Sequence, residues 1–108
     1  MVRLRWMVQA CLLMIAAACT AADWPQFRGP NRDGMSAETG LLQQWPEGGP
    51  KQLWSVDGLG EGWSSPAVYE GTIYITGKLD ADGWLFTFDT AGDLKWKVPY
   101  GPEWDRSY

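Results

Sequence analysis

The chain has 108 residues, with 9 basic and 13 acidic side chains for a net charge of −4, 8 tryptophans, 13 glycines and no histidine. The missing imidazole excludes a Ser-His-Asp triad, a His general base and a His metal ligand within this chain. The acidic balance opposes phosphate backbones and anionic lipid surfaces, so nucleic acid is not an expected partner.

Residues 1–22 read as an export signal. Arg3 and Arg5 form a positive start, an apolar run of 13 residues extends from Trp6 through Ala18, and small residues follow to Ala22. That run is shorter than the roughly 20 apolar residues of a membrane-spanning helix, so no membrane span is expected. Cleavage after Ala22 would make Asp23 the mature N-terminus and deliver the chain to the periplasm or the cell exterior. Both cysteines, Cys11 and Cys19, lie in this leader, so no disulfide is expected in the mature chain. A competing reading makes Cys19 the lipid-bearing first residue of a lipoprotein, since Ala16, Ala17 and Ala18 precede it. The absence of Leu at the third position before that cysteine argues against it. Leader removal takes two arginines and no acid, leaving a mature chain of net charge −6.

Residues 23–50 carry Pro25, Pro30, Pro46 and Pro50 among turn formers such as Asn31, Asp33, Gly34, Gly48 and Gly49. Proline removes amide donors and these residues favour turns, so an extended lead-in with few ladder hydrogen bonds is expected. Leu41, Leu42 and Trp45 suit a short helical turn. Beyond Pro50, short apolar or alternating runs separated by turn signals predict antiparallel strands. They fall at residues 52–56, 66–69, 72–76, 84–89 and 94–98. Glu70-Gly71 fits a two-residue hairpin connection with positive φ at the glycine, and Asp82-Gly83 and Gly92-Asp93 read as further turns. In the last run Leu94, Trp96 and Val98 share one face and Lys95 and Lys97 the other, which predicts a strand with one wet face.

An internal repeat organises this half of the chain. Leu53-Trp54-Ser55-Val56 recurs as Lys95-Trp96-Lys97-Val98, with the two tryptophans 42 residues apart. Each is followed by a Gly-containing stretch with its own tryptophan, Gly60-Glu61-Gly62-Trp63-Ser64 and Gly101-Pro102-Glu103-Trp104. A period of roughly 40 to 45 residues holding about four strands is the signature of a propeller blade.

The segment Leu85-Phe86-Thr87-Phe88-Asp89-Thr90-Ala91-Gly92-Asp93-Leu94-Lys95-Trp96 resembles the A-x-D-x-x-T-G-x-x-x-W ending of the pyrroloquinoline-quinone (PQQ) repeat. The stretch Asp23-Trp24-Pro25-Gln26-Phe27-Arg28-Gly29-Pro30-Asn31-Arg32-Asp33-Gly34 is similar to the start of the mature region in secreted bacterial PQQ-repeat-like proteins. Thr87 replaces the Ala of the motif, Ala91 its Thr, and Asp89 stands one residue closer to the tryptophan, while Gly92 keeps its spacing to Trp96. The resemblance implies an all-β fold in which residues 51–108 make about one four-stranded blade, plus the start of a second, of an eight-bladed β-propeller of the quinoprotein alcohol dehydrogenase-like kind. It gives Trp96 and Trp54 the role of docking between blades, with Asp89 and Gly92 as structural partners. It also implies that residues 52–56 form the outermost strand of the last blade.

A propeller needs several blades, each covering its neighbour's apolar face. The chain is therefore expected to be a fragment that self-associates through open blade edges. As to chemistry, Gly58-Leu59-Gly60-Glu61-Gly62 does not fit G-x-G-x-x-G and no helix pattern follows, so a connection between strands is preferred to a phosphate loop. Asp80-Ala81-Asp82-Gly83 lacks the glycine position and the final acid of a calcium loop and reads as a hairpin turn. Ser64-Ser65 has no base and Pro66 replaces the second glycine of a nucleophile elbow. Trp63 with Glu61 could form a ligand-facing, sugar- or quinone-stacking surface. No catalytic residue, metal ligand or cofactor is assigned within the chain, and PQQ with calcium would belong to the intact propeller alone. The expected function is a non-catalytic binding or assembly platform for a protein or carbohydrate ligand. The alternatives are part of a PQQ-dependent alcohol or sugar dehydrogenase, or a carbohydrate-binding module.

Overall fold

The computed structural model describes residues 22–104, so residues 1–21 of the expected leader, Cys19 among them, lie outside the described residues. Among the described residues there is no helix, and four antiparallel strands form one sheet in sequence order. They are β1 (Ala67–Tyr69), β2 (Thr72–Leu79), β3 (Asp82–Asp89) and β4 (Leu94–Pro102). Consecutive strands joined by short turns make the simplest antiparallel meander, because each hairpin closes over few residues.

Each turn has a local cause. At the first, both Glu70 (φ 46°) and Gly71 (φ 70°) have positive φ, as a type I′ hairpin requires. The second is Asp80-Ala81, with Asp80 at φ 55°, and not Asp82-Gly83, which lies inside β3. Gly83 serves packing instead: the Tyr100 ring of β4 lies so close over it that a Cβ would overlap the ring. The third loop is held by Asp89, whose Oδ1 accepts the amides of Ala91 and Asp93, both at 2.9 Å. This Asx-type bonding replaces ladder bonds that the loop cannot make.

The core runs along β3. Phe86 and Phe88 are buried on one face, and Thr87 between them is fully buried on the other. The register places Ile75 beside Phe86, Ile73 beside Phe88, and Tyr74 and Trp96 on either side of Thr87. The register shift between Thr87 and Phe88 is a bulge where the Thr87 hydroxyl stands in for backbone. It donates to the Trp96 carbonyl at 2.8 Å and accepts the Trp96 amide at 3.2 Å.

Beyond the four strands, two segments touch the β1 side of the sheet. Trp24 and Val68 exchange both backbone hydrogen bonds at 2.9 Å, and Glu61 and Lys78 do so at 3.0 and 2.7 Å. Between Glu61 and β1, Pro66 has no amide to offer, and the Ser64 hydroxyl bonds the Thr76 carbonyl at 2.8 Å. The glycines of residues 58–62 permit this arrangement. A Cβ on Gly60 would overlap the Lys78 carbonyl, and one on Gly77 the Leu59 carbonyl, so two backbones cross where only glycine fits.

Three expectations are corrected. Residues 52–56 form no strand; among the described residues no strand pairs with them, and Trp54 is instead committed to the β3–β4 loop. Leu41, Leu42 and Trp45 make no helical turn and are exposed, because Pro46 and the positive-φ Gly48 and Gly49 end any such turn. The lead-in is only partly extended: residues 26–34 fold on themselves, with the Gly34 amide on the Arg28 carbonyl at 2.8 Å and Arg32 Nε on Gln26 Oε1 at 3.0 Å.

Candidate functional site

Trp54 is held on the β3–β4 loop. Its indole Nε1–H donates to the Thr90 carbonyl at 3.0 Å, and its rings lie across Gly92, where a Cβ would stand 2.7 Å from Cδ2. Gly92 has φ 92°, so the absence of a side chain gives both the loop conformation and the flat seat for the indole. Asp89 fixes the same loop from within. Three of the residues singled out in the sequence, Trp54, Asp89 and Gly92, therefore meet at one place.

With Trp54 in position, residues 54–66 roof an open cleft of about 310 Å³. It is lined by Trp54, Val56, Leu59, Val68, Ile75 and Phe88 among others, with no ionisable side chain in its wall. Such a lining can cover apolar surface but supplies no acid, base or nucleophile.

Trp96, the second copy of the repeated tryptophan, lies on the opposite face of the sheet. It meets Tyr74 edge-on, with ring centroids 6.4 Å apart and planes at 71°. It remains 46% exposed, and its indole N–H donates to no described residue. Val98 beside it is also exposed, and the bulge puts Leu94, exposed as well, opposite Phe88 on the other face, so the strand predicted to carry Leu94, Trp96 and Val98 on one face and to have one wet face has two accessible faces. Nor are the lysines of β4 simply solvated. Lys97 Nζ stands 5.2 Å from the Trp84 ring centroid, within cation–π range, and Lys95 Nζ bonds Thr72 Oγ1 at 2.7 Å.

Trp63 and Glu61 are both exposed. Glu61 is fixed by its backbone pairing with Lys78, whereas the Trp63 side chain is fully exposed. Two tyrosines are perturbed. Hydrogen bonding to Glu103 raises the Tyr100 phenol above its ordinary value, and hydrogen bonding to Glu70 does the same to Tyr69. A carboxylate that accepts a phenolic proton favours the neutral phenol. Neither tyrosine lies in the cleft wall.

No group of three or more Cys, Asp or Glu side chains suited to a metal occurs among the described residues. No helix there is long and apolar enough to cross a membrane. Neither the sequence nor the fold matches a known protein family, a curated protein or a solved structure.

Sequence reasoning found the tryptophans and the Asp89 loop but missed three packing devices: Thr87, the Gly60–Gly77 crossing and Tyr100 over Gly83. A glycine inside each strand, Gly77 in β2 and Gly83 in β3, was the available signal for the last two.

Proposed function

We propose that the sheet is one blade of an exported, PQQ-repeat-like propeller, serving as a non-catalytic binding or assembly platform. The observation that carries this reading is the contrast between the two repeated tryptophans. Trp54, 38% exposed, seats its ring on Gly92 and gives its N–H to Thr90, while Trp96, with the same Trp-x-Val context, is 46% exposed beside exposed Val98 and gives its N–H to no described residue. A further sheet packed on that face would give Trp96 the environment Trp54 already has. The apolar cleft adds support, since its wall suits packing and carries no ionisable group. The fold alone does not set the function; the covering role follows from these uncovered faces.

Sedimentation of the full chain over a range of concentrations tests it. Association that grows with concentration and is weakened by Trp96→Ala is expected. A concentration-independent monomer with a sharp thermal unfolding transition would sink the blade reading. PQQ- and calcium-dependent reduction of a dye by the chain, with an alcohol or sugar as donor, would overturn its non-catalytic half.

A second reading rests on Trp63, whose fully exposed ring offers a flat face of the kind that stacks on sugars. Loss of glycan binding on Trp63→Ala supports it, and silence of the intact chain on a glycan array removes it.

A further inference from the structure

The residues around the expected leader junction are engaged by the fold. The Ala22 amide donates to Glu38 Oε1 at 2.9 Å. The Asp23 carboxylate accepts the Glu70 amide through both oxygens, at 3.1 and 3.2 Å. Trp24 exchanges both backbone hydrogen bonds with Val68, and its ring lies on Gly29, where a Cβ would stand 2.6 Å from the indole. Of three consecutive residues at the Ala22–Asp23 bond, Ala22 is thus tied to Glu38, and Asp23 and Trp24 to β1 and the turn that ends it.

We infer that docking of Asp23 and Trp24 on β1 shields the Ala22–Asp23 bond, so that leader removal must precede completion of this edge of the sheet. The inference rests on the export reading. A peptidase cleft takes its substrate as an extended strand, pairing with backbone N–H and C=O groups on both sides of the scissile bond. Here the Trp24 groups are already paired, and the Asp23 side chain caps the turn that ends β1. Hydrolysis adds one water across the bond, leaving a carboxylate on Ala22 and an ammonium on Asp23. Of the bonds above, the product loses only the one from Ala22 to Glu38. The mature chain keeps the Asp23–Glu70 and Trp24–Val68 contacts, so the dock protects the precursor and remains intact in the product.

The test uses the full chain with its leader, folded or freshly diluted from urea, incubated with a purified membrane leader peptidase in detergent. Intact-mass measurement follows cleavage at Ala22–Asp23. The folded chain is expected to be cut about tenfold or more slowly than the unfolded one, because cleavage then waits on local opening. Gly29→Ala, which displaces the Trp24 ring, and Val68→Pro, which removes the amide received by the Trp24 carbonyl, are expected to bring the folded rate toward the unfolded one. Circular dichroism checks that each variant retains its sheet. Equal rates for folded and unfolded wild-type chain overturn the shielding alone. Absence of cleavage at this bond in either state overturns the export reading beneath it.

Discussion

The indole of Trp54 lies flat on Gly92 and donates its N–H to the Thr90 carbonyl at 3.0 Å, tying residues 36 apart in sequence. Gly92→Ala puts a methyl group 2.7 Å from Trp54 Cδ2 at φ 92°, and is expected to cost about 1–3 kcal/mol from backbone strain and displacement of the ring. Trp54→Ala removes the same contact, so the double variant is expected to lose less than the two single losses combined. Urea denaturation of the four chains measures this. Strict additivity would show that Trp54 and Gly92 do not act together.

Thr87 is fully buried and bonds both backbone polar groups of Trp96. Thr87→Val keeps the shape but leaves those groups short of a partner, with an expected loss of about 1–3 kcal/mol. Thr87→Ser retains the hydroxyl and is expected to lose less than the valine variant. Equal losses for the two would assign the effect of Thr87 to packing.

At the Gly60–Gly77 crossing the obstacle to a side chain is backbone carbonyl on both sides. Gly60→Ala and Gly77→Ala are each expected to destabilise the sheet by more than about 3 kcal/mol, since neither chain can give way without breaking the Glu61–Lys78 pairing. Gly71→Ala provides the control. Gly71 has φ 70° with open space around it, so only a conformational cost of roughly 1–2 kcal/mol is expected. Thermal melts of the three variants should rank them in that order.

Much of the sheet is legible in the sequence because antiparallel strands carry local signals. The Glu70-Gly71 turn, the runs leading to β1 through β4 and the Asp89-to-Trp96 segment each depend on neighbours in the chain. What sequence reading assigns wrongly depends on distant partners. Gly83 reads as a turn residue because nothing local reveals the Tyr100 ring above it. Trp54 sits in a run that alternates like a strand, yet its side chain is taken by a loop 36 residues away. Thr87 looks like a departure from the repeat until the bulge beside Trp96 gives its hydroxyl two bonds.

The Tyr100 phenol, raised by its hydrogen bond to Glu103, gives stability a defined alkaline dependence. The folded value lies above the unfolded reference of 10.0, so the unfolded chain loses its proton first. The contribution is fully present below about pH 10 and is lost as pH rises through the higher folded value. Tyr100→Phe is therefore expected to remove this contribution from the neutral region and to flatten the alkaline limb of a stability-versus-pH curve. In an absorbance titration at alkaline pH, Glu103→Gln should lower the value for Tyr100. An unchanged titration would mean that the hydrogen bond does not set the shift.

Association of the full chain is expected to use the Trp96 face in preference to the sheet edges. The β1 side is partly occupied by Trp24 and Glu61 through their pairing with Val68 and Lys78. On β4 the Trp96 backbone turns toward Thr87, so alternation directs the backbone of Lys97 and Pro99 outward. One of these carries a charge and the other has no amide, both of which oppose edge pairing. The face has no such guard, because Trp96 and Val98 stand together and exposed. Trp96→Lys is then expected to reduce association in sedimentation velocity, whereas Pro99→Thr, which restores an outward amide, should strengthen it through a new edge contact. If Trp96→Lys leaves association unchanged, the edges carry it after all, and the face would have to be covered by a different kind of partner.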